Sequence, residues 1–280
     1  MRSVPVFMYH HVNWHTGDLV TLTPDDFENH LRVLQDRKIQ TVFLGELVEW
    51  MERSKQLPQP SVALTFDDGH LDNWVYAFPL LKKYRMKATI FVITSWMERG
   101  KIRNTWDPIE RNTEKLPPIP RHGEARRRAE AGDLSVALHW EEAQAMEASG
   151  LVDIQCHTHF HQDYFQPVGQ HLQIEPGGEN RLLQDLERSK SLIEEMLGKN
   201  CRFLAWPWGK YNGTAIQLAK KAGFEGLATT EKGVNPPGGD PMTIKRVVAK
   251  SGNPRWFQQR VQIYSHRILG TVYSRVAGKI

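Results

Sequence analysis

The sequence predicts a single parallel α/β domain, and three observations carry that reading. Strand-like apolar runs alternate with stretches of helical periodicity along most of the chain. Several of those runs stop at residues able to do chemistry, and in parallel folds chemistry gathers at the carboxyl ends of strands. No linker and no internal repeat breaks the 280 residues, a length that suits one large α/β domain.

Residues 4–9 form the first strand, with His10 and His11 at its carboxyl end. Thr23-Pro24-Asp25-Asp26 opens a helix, with a threonine cap, proline in the first turn and acids at the positive end of the dipole. Phe27, Leu31 and Leu34 mark its buried face. Residues 41–44 are a strand and 45–53 a short helix, closed off by Pro58 and Pro60. The run SVALTF at 61–66 must end where Asp67 and Asp68 begin, and Gly69 lets the backbone turn sharply. Residues 71–84 read as a helix that Pro79 kinks or breaks. ATIFVIT at 88–94 is a strand. Residues 100–138, with Pro117, Pro118, Pro120 and Arg126-Arg127-Arg128, lack periodicity and read as a partly ordered insertion, either a lid over a site or a surface excursion. A helix follows over 140–149, closed by Gly150, then a strand over 151–156 that ends at His157. A second irregular stretch runs to about Gly178. Leu182, Leu186, Ile193, Met196 and Leu197 then mark a long helix ending at Gly198. Residues 202–206 are a strand stopped by Pro207, and Asn212 caps a helix with Ile216 and Ala219 inward. The last strands fall at 226–229 and 244–249.

The formal net charge is +4, but residues 241–280 carry eight Lys or Arg and no acid, so the chain before them is net negative. That distribution argues against a nucleic-acid binder. In the tail, residues 253–280, Phe257, Val261, Tyr264, Ile268 and Val272 recur every three or four positions with arginines between them. Such a basic amphipathic helix either lies on an anionic membrane surface or packs its apolar face on the main domain, residues 1–252. Cys156 and Cys201 form no disulfide framework and read as buried thiols. The N-terminus lacks a signal-peptide apolar core, so the expected location is cytoplasmic or peripheral at the inner membrane.

The chemistry concentrates in two places. Asp67 and Asp68 can divide labour, one holding a metal and the other taking a proton. In HTHFH at 157–161, His157 and His161 share a direction whether the segment is extended or helical, and His159 joins them if it is extended. Two imidazoles and a carboxylate suit a divalent metal, zinc first, with iron, cobalt and manganese as other occupants.

TFDDG at 65–69 with the HLDNWVYAFPLLKKYRMKATIFV that follows, HTHFH at 157–161 and WPWGKYN at 206–212 together resemble the three motifs of the polysaccharide deacetylases, the NodB-like carbohydrate esterase family 4. The resemblance runs from about residue 4 to 249. It implies a distorted (β/α)7 barrel, Asp68, His157 and His161 as metal ligands, and Asp67 as general base. It also implies Thr158 as support for the site, His159 at the variable position between the ligands, and Trp208 lining the substrate groove with its backbone N–H near the oxyanion. Tyr9 and Pro207 are further substrate-contact candidates. The family's acid histidine lies near the C-terminus, where His266 stands. MYHHV at 8–12, however, resembles the subgroup acting on poly-N-acetylglucosamine, whose barrel is circularly permuted, and this points to His10, with His11 next. The arginine that orients the base is Arg246 or Arg202, the latter one residue further from Pro207 than the common motif has it. The activity implied is removal of N-acetyl groups from an N-acetylhexosamine in a bacterial glycan or glycolipid precursor. The alternatives are hydrolysis of a small non-sugar amide and an inactive, membrane-associated carbohydrate-binding barrel.

Overall fold

The computed structural model describes residues 2–277. Its strands are β1 (Val6–Tyr9), β2 (His11–Val12), β3 (Thr21–Leu22), β4 (Gln40–Val42), β5 (Ser61–Phe66), β6 (Ala88–Val92), β7 (Val152–Cys156), β8 (Phe165–Val168), β9 (His171–Ile174), β10 (Phe203–Ala205), β11 (Gly226–Ala228) and β12 (Val247–Val248). Its α-helices are α1 (Pro24–Asp36), α2 (Leu44–Met51), α3 (Phe78–Tyr84), α4 (His122–Glu130), α5 (Trp140–Ala148), α6 (Gly178–Leu197), α7 (Gly213–Lys221), α8 (Pro254–Tyr264) and α9 (Arg267–Ala277).

The main sheet runs β11-β10-β7-β6-β5-β1-β12, with β4 added on β5, and every pairing in it is parallel. It curls until its ends meet. The Ile244 carbonyl accepts from Thr229 N at 2.9 Å and Ile244 N donates to Leu227 O at 2.9 Å, while β12, three residues on, pairs with β1. The expected distorted barrel is thus closed by one short segment, residues 244–248.

Period-2 alternation sorts the strand residues into two cores. Val4, Val6, Ala63, Phe91, Phe203 and Ala228 fall in an inner cluster, plugged by Leu44, Leu47, Val48 and Met51 of α2. Phe7, Tyr9, Val62, Leu64, Phe66, Ile90 and Val92 fall in the outer cluster with residues of the surrounding helices. Asp67 continues the inward-facing series of Ala63 and Thr65, which aims its carboxylate along the barrel interior.

The helix starts follow their caps. Thr23 Oγ1 accepts from Asp26 N at 3.1 Å and Asn212 Oδ1 from Ala215 N at 2.9 Å. Before Pro79 the helix widens into a π-turn over Asn73–Ala77. Proline has no N–H to offer the Val75 carbonyl, and Trp106 N donates to it instead at 2.9 Å. The break therefore becomes an attachment point for the insertion.

Three expectations change. The stretch 100–138 is more ordered than its composition suggests: it contains α4, buries Trp106, and fixes Arg103 on Glu142 at 2.8 and 2.6 Å. The stretch after residue 161 holds an antiparallel hairpin, β8–β9. The tail is two helices rather than one. Phe257, Val261 and Tyr264 of α8 are buried in the outer core, whereas Ile268, Leu269, Val272 and Val276 of α9 are 55–60% exposed. The last residues of the tail, 278–280, lie outside the described residues.

Candidate active site

The tips of β5, β7 and β1 and the β12 segment bring the predicted residues to one end of the barrel. Asp68 follows β5 with φ 74°, and Gly69 with φ 70° completes the turn; a Cβ on Gly69 would sit 2.8 Å from Val92 Cγ1. HTHFH is neither extended nor helical. Left-handed residues at Thr158 (φ 65°) and His161 (φ 51°) coil it back, and Thr158 Oγ1 accepts from His161 N at 3.0 Å. The coil returns His161 beside His157, ring centroids 4.9 Å apart, while His159 turns away to bond Thr94 Oγ1 at 2.8 Å. Asp68, Thr158, His161 and Trp208 (φ 58°) are all non-glycine residues in a region L side chains avoid, and all belong to this one site.

Asp68 Oδ1 lies 3.2 Å from His157 Nε2 and 3.7 Å from His161 Nε2. Bonds of ~2.0–2.2 Å put neighbouring ligand atoms of a tetrahedral zinc site ~3.3 Å apart, so the trio fits one divalent ion. His157 Nδ1 donates to the Ala205 carbonyl at 2.8 Å, which turns Nε2 toward the same point. His70 Nε2 donates to the other Asp68 oxygen at 3.1 Å and fixes the carboxylate's rotation. Burial alone would raise the Asp68 pKa, but its hydrogen bonds with His157 and His70 outweigh burial and hold it well below the usual range. Burial, joined by the neighbouring His157, pushes His161 down to about 3, so its lone pair is free at neutral pH.

Asp67 is held by a two-pronged ion pair: Arg246 Nη1 to Oδ1 at 2.6 Å and Nη2 to Oδ2 at 2.8 Å. Arg246 is 0% exposed, and its Nε donates to Thr229 O at 2.8 Å. Burial would raise the Asp67 pKa; the Arg246 charge overrides it, and the group stays a carboxylate. His10 faces both acids across the cavity, its Nδ1 buried and without a partner. Burial lowers its pKa against the pull of Asp68 and Asp67.

Other predicted residues stand elsewhere. Arg202 pairs with Glu225 at 2.6 Å at the far end of β10, so Arg246 is the arginine on Asp67. Tyr9 points into the outer core, where its hydroxyl meets His30 Nδ1 at 3.0 Å, so it contacts no substrate. Pro207 is buried beneath the cavity wall and shapes the turn that presents Trp208, whose 46% exposed ring stands 4.8 Å from His161. His266 sits between α8 and α9, bridged to Arg2, away from the cavity. His11 bonds Asp72 Oδ2 at 2.8 Å through Nδ1 and His122 Nδ1 at 3.1 Å through Nε2. Its ring also stacks on His70, centroids 3.8 Å apart and planes 20° apart, so one ion cannot lie in both ring planes. The His11, His70 and His122 trio is therefore not read as a second metal centre.

Sequence reasoning missed His70, Trp96, His122 and Arg126, all of which line the cavity. It also missed Asp185, which accepts from Phe160 N at 3.1 Å and Tyr164 Oη at 2.8 Å and so clamps the histidine loop. An acid between Leu182 and Leu186 on the apolar face of a helix was a readable signal.

A family model for polysaccharide deacetylase matches residues 54–227. The chain belongs to the polysaccharide deacetylase family. Membership places it among hydrolases acting on carbon–nitrogen bonds other than peptide bonds. The poly-β-1,6-N-acetyl-D-glucosamine N-deacetylase of Staphylococcus epidermidis is 26% identical over 234 residues, 82% of this chain and 68% of that one. The Bacillus subtilis protein YxkH is 26% identical over 231 residues, and the match spans 66% of its length. The curated relatives thus extend well beyond the part aligned with this chain. Among solved structures, the deacetylase PplD of Streptococcus pyogenes superposes with a TM-score of 0.71 at 21% identity, covering 94% of this chain and 98% of that one. IcaB of Ammonifex degensii superposes with a TM-score of 0.70 at 24% identity, covering 94% and 98%. At these identities the superpositions establish the barrel alone.

Proposed function

We propose that the chain is a metal-dependent deacetylase that hydrolyses the N-acetyl group of an N-acetylhexosamine in a bacterial glycan or glycolipid precursor. One observation carries the reading: three side chains able to hold a metal converge beside a buried carboxylate locked on an arginine, with a histidine facing them across the same cavity.

Asp68, His157 and His161 would hold the ion, zinc first by the donor set. When bound, it supplies Lewis acidity toward the acetyl carbonyl. Asp67, kept ionised and oriented by Arg246, takes the proton of the attacking water. His10 gives a proton to the departing amine, so acetate and a free amino sugar result. Trp208 offers an aromatic face on which a pyranose ring can stack. Acetate release from N-acetylated oligosaccharides, measured beside a panel of small amides, tests the reading. Sugar-derived acetate is expected, and turnover of the small amides alone would replace it with the amidohydrolase reading.

A membrane surface is a second element of the proposal, favoured by the apolar face that α9 leaves exposed within a wholly basic tail. No helix among the described residues is long and apolar enough to cross a bilayer. The chain would then work as a peripheral protein at the cytoplasmic face of the inner membrane, on a lipid-linked sugar.

A further inference from the structure

The insertion helix α4 lies across the mouth of the cavity and is attached to it in three ways. At its first residue, His122 bonds His11, which is itself held by Asp72, and Asn13 Nδ2 donates to the same Asp72 oxygen at 2.6 Å. Along its underside, Ala125 and Ala129, four residues apart and both buried, pack on Ile93, Trp96, Val136 and Ala137 as a separate apolar cluster. On its far side, the Arg126 guanidinium sits 4.1 Å over the ring of Trp208, with its Nε on Glu130 Oε1 at 2.7 Å.

These attachments differ in strength. The His122–His11–Asp72 chain ends in two buried groups, His11 and Asp72, and breaking it strands a buried polar atom of His11. The Arg126–Trp208 contact is a partly exposed cation–π pair with water at hand to replace it, and so the weaker tie. One side of the roof is therefore fixed and the other is easily parted. Beneath the roof the cavity has a volume of about 210 Å³, below the ~300–1,000 Å³ of pockets for drug-sized ligands, and suits one sugar ring. Beyond Arg126 and Trp208 the cavity gives onto an open surface groove, an outer chamber of about 480 Å³ lined also by Phe160, Gln162 and Asp163.

We propose that α4 makes this an end-on enzyme: one terminal N-acetylhexosamine passes between Arg126 and Trp208 and stops at His122, while the rest of the substrate stays in the outer chamber. The inference rests on the deacetylase reading above and adds which sugar of a chain is reached. A chain threaded through the site would have to leave past His122, which its part-buried bond to the buried His11 holds across that side. Interior residues of a long polymer are therefore excluded.

The test uses the full chain with zinc, and N-acetylglucosamine and its oligosaccharides of two to six units, the free amines being located by mass spectrometry after labelling. Wild type is expected to free the amine on a terminal sugar only, at a rate per molecule that does not grow with chain length. His122→Ala is expected to raise the internal fraction at least five-fold, because it opens the closed end of the roof, whereas Arg126→Ala widens only the entrance and should leave the products terminal. Internal deacetylation by wild type at rates comparable to the terminal position overturns the proposal, as does an unchanged product pattern in His122→Ala. If monomer and dimer react and the longer chains do not, the proposal is overturned, since an end-on site that opens outward must accept the terminal sugar of a longer chain. If no sugar yields acetate, the deacetylase reading itself fails and takes this one with it, an outcome distinct from internal cleavage.

Discussion

Asp67 shows how much of this site is decided by a single pair. A carboxylate 3% exposed should be protonated, yet the guanidinium of Arg246 meets both its oxygens and keeps it charged. Removing one partner of a buried pair costs ~3–5 kcal/mol, because the other charge is left without compensation. Arg246→Met should lower unfolding stability by about that much in urea titrations. Arg246→Lys keeps a charge but not the fork, so the protein should fold and the Asp67 pKa should rise. Activity would then fade at a higher pH on the acid side than in wild type; an unmoved acid limb would remove Asp67 from the base role. The assignment to Arg246 rather than Arg202 was not legible in the motif, because Arg246 meets Asp67 only through a closure between residues far apart in sequence, while Arg202 stays on Glu225 at the far end of β10. Tyr9 was more legible than its expectation allowed. It shares the alternation of Phe7, and that alternation points it away from the barrel interior.

At the scale of elements, strand tips placed the chemistry and the irregular stretches shaped access to it. Strands and helices with apolar stripes were readable. α4 was not, because HGEARRRAE docks by two alanines rather than by a hydrophobic face. The hairpin β8–β9 is mostly exposed and carries little apolar pattern. α8 is anchored through a histidine: His30 of α1 stacks on Phe257 with centroids 4.0 Å apart, and its Nε2 meets the Ser251 carbonyl at 2.8 Å. Burial pushes His30 down to about 4 from the ordinary 6.5. The unfolded chain therefore takes up the proton first, so the contribution is fully present above pH 6.5 and is lost as pH falls toward 4. The loss should reach on the order of 3 kcal/mol from this residue, with His70, also at about 4, adding in the same direction. His30→Asn should flatten the slope of unfolding free energy between pH 6.5 and 4, and an equal slope in variant and wild type would count against the buried neutral histidine.

For the whole molecule, the barrel closure and the basic tail bear on where the enzyme works. Flotation with anionic vesicles should carry wild type upward, and Leu269→Asp with Val272→Asp should leave it at the bottom. Both residues are exposed, so the fold should survive the change. Equal flotation would place the apolar face of α9 elsewhere. The proposed metal centre should also couple to global stability, since an ion that binds only the folded chain adds ~4 kcal/mol at a thousand times its dissociation constant.

The most direct measurement is the metal content of chelator-washed, zinc-reconstituted protein, taken beside acetate release on the same samples. Wild type should hold one equivalent and turn over. Asp68→Asn and His157→Ala should lose metal and activity together, and Asp67→Asn should keep the metal while losing activity by ~10²–10⁴-fold. Full metal retention in Asp68→Asn and His157→Ala, or undiminished turnover in Asp67→Asn, would contradict the convergence on which the hydrolytic reading stands.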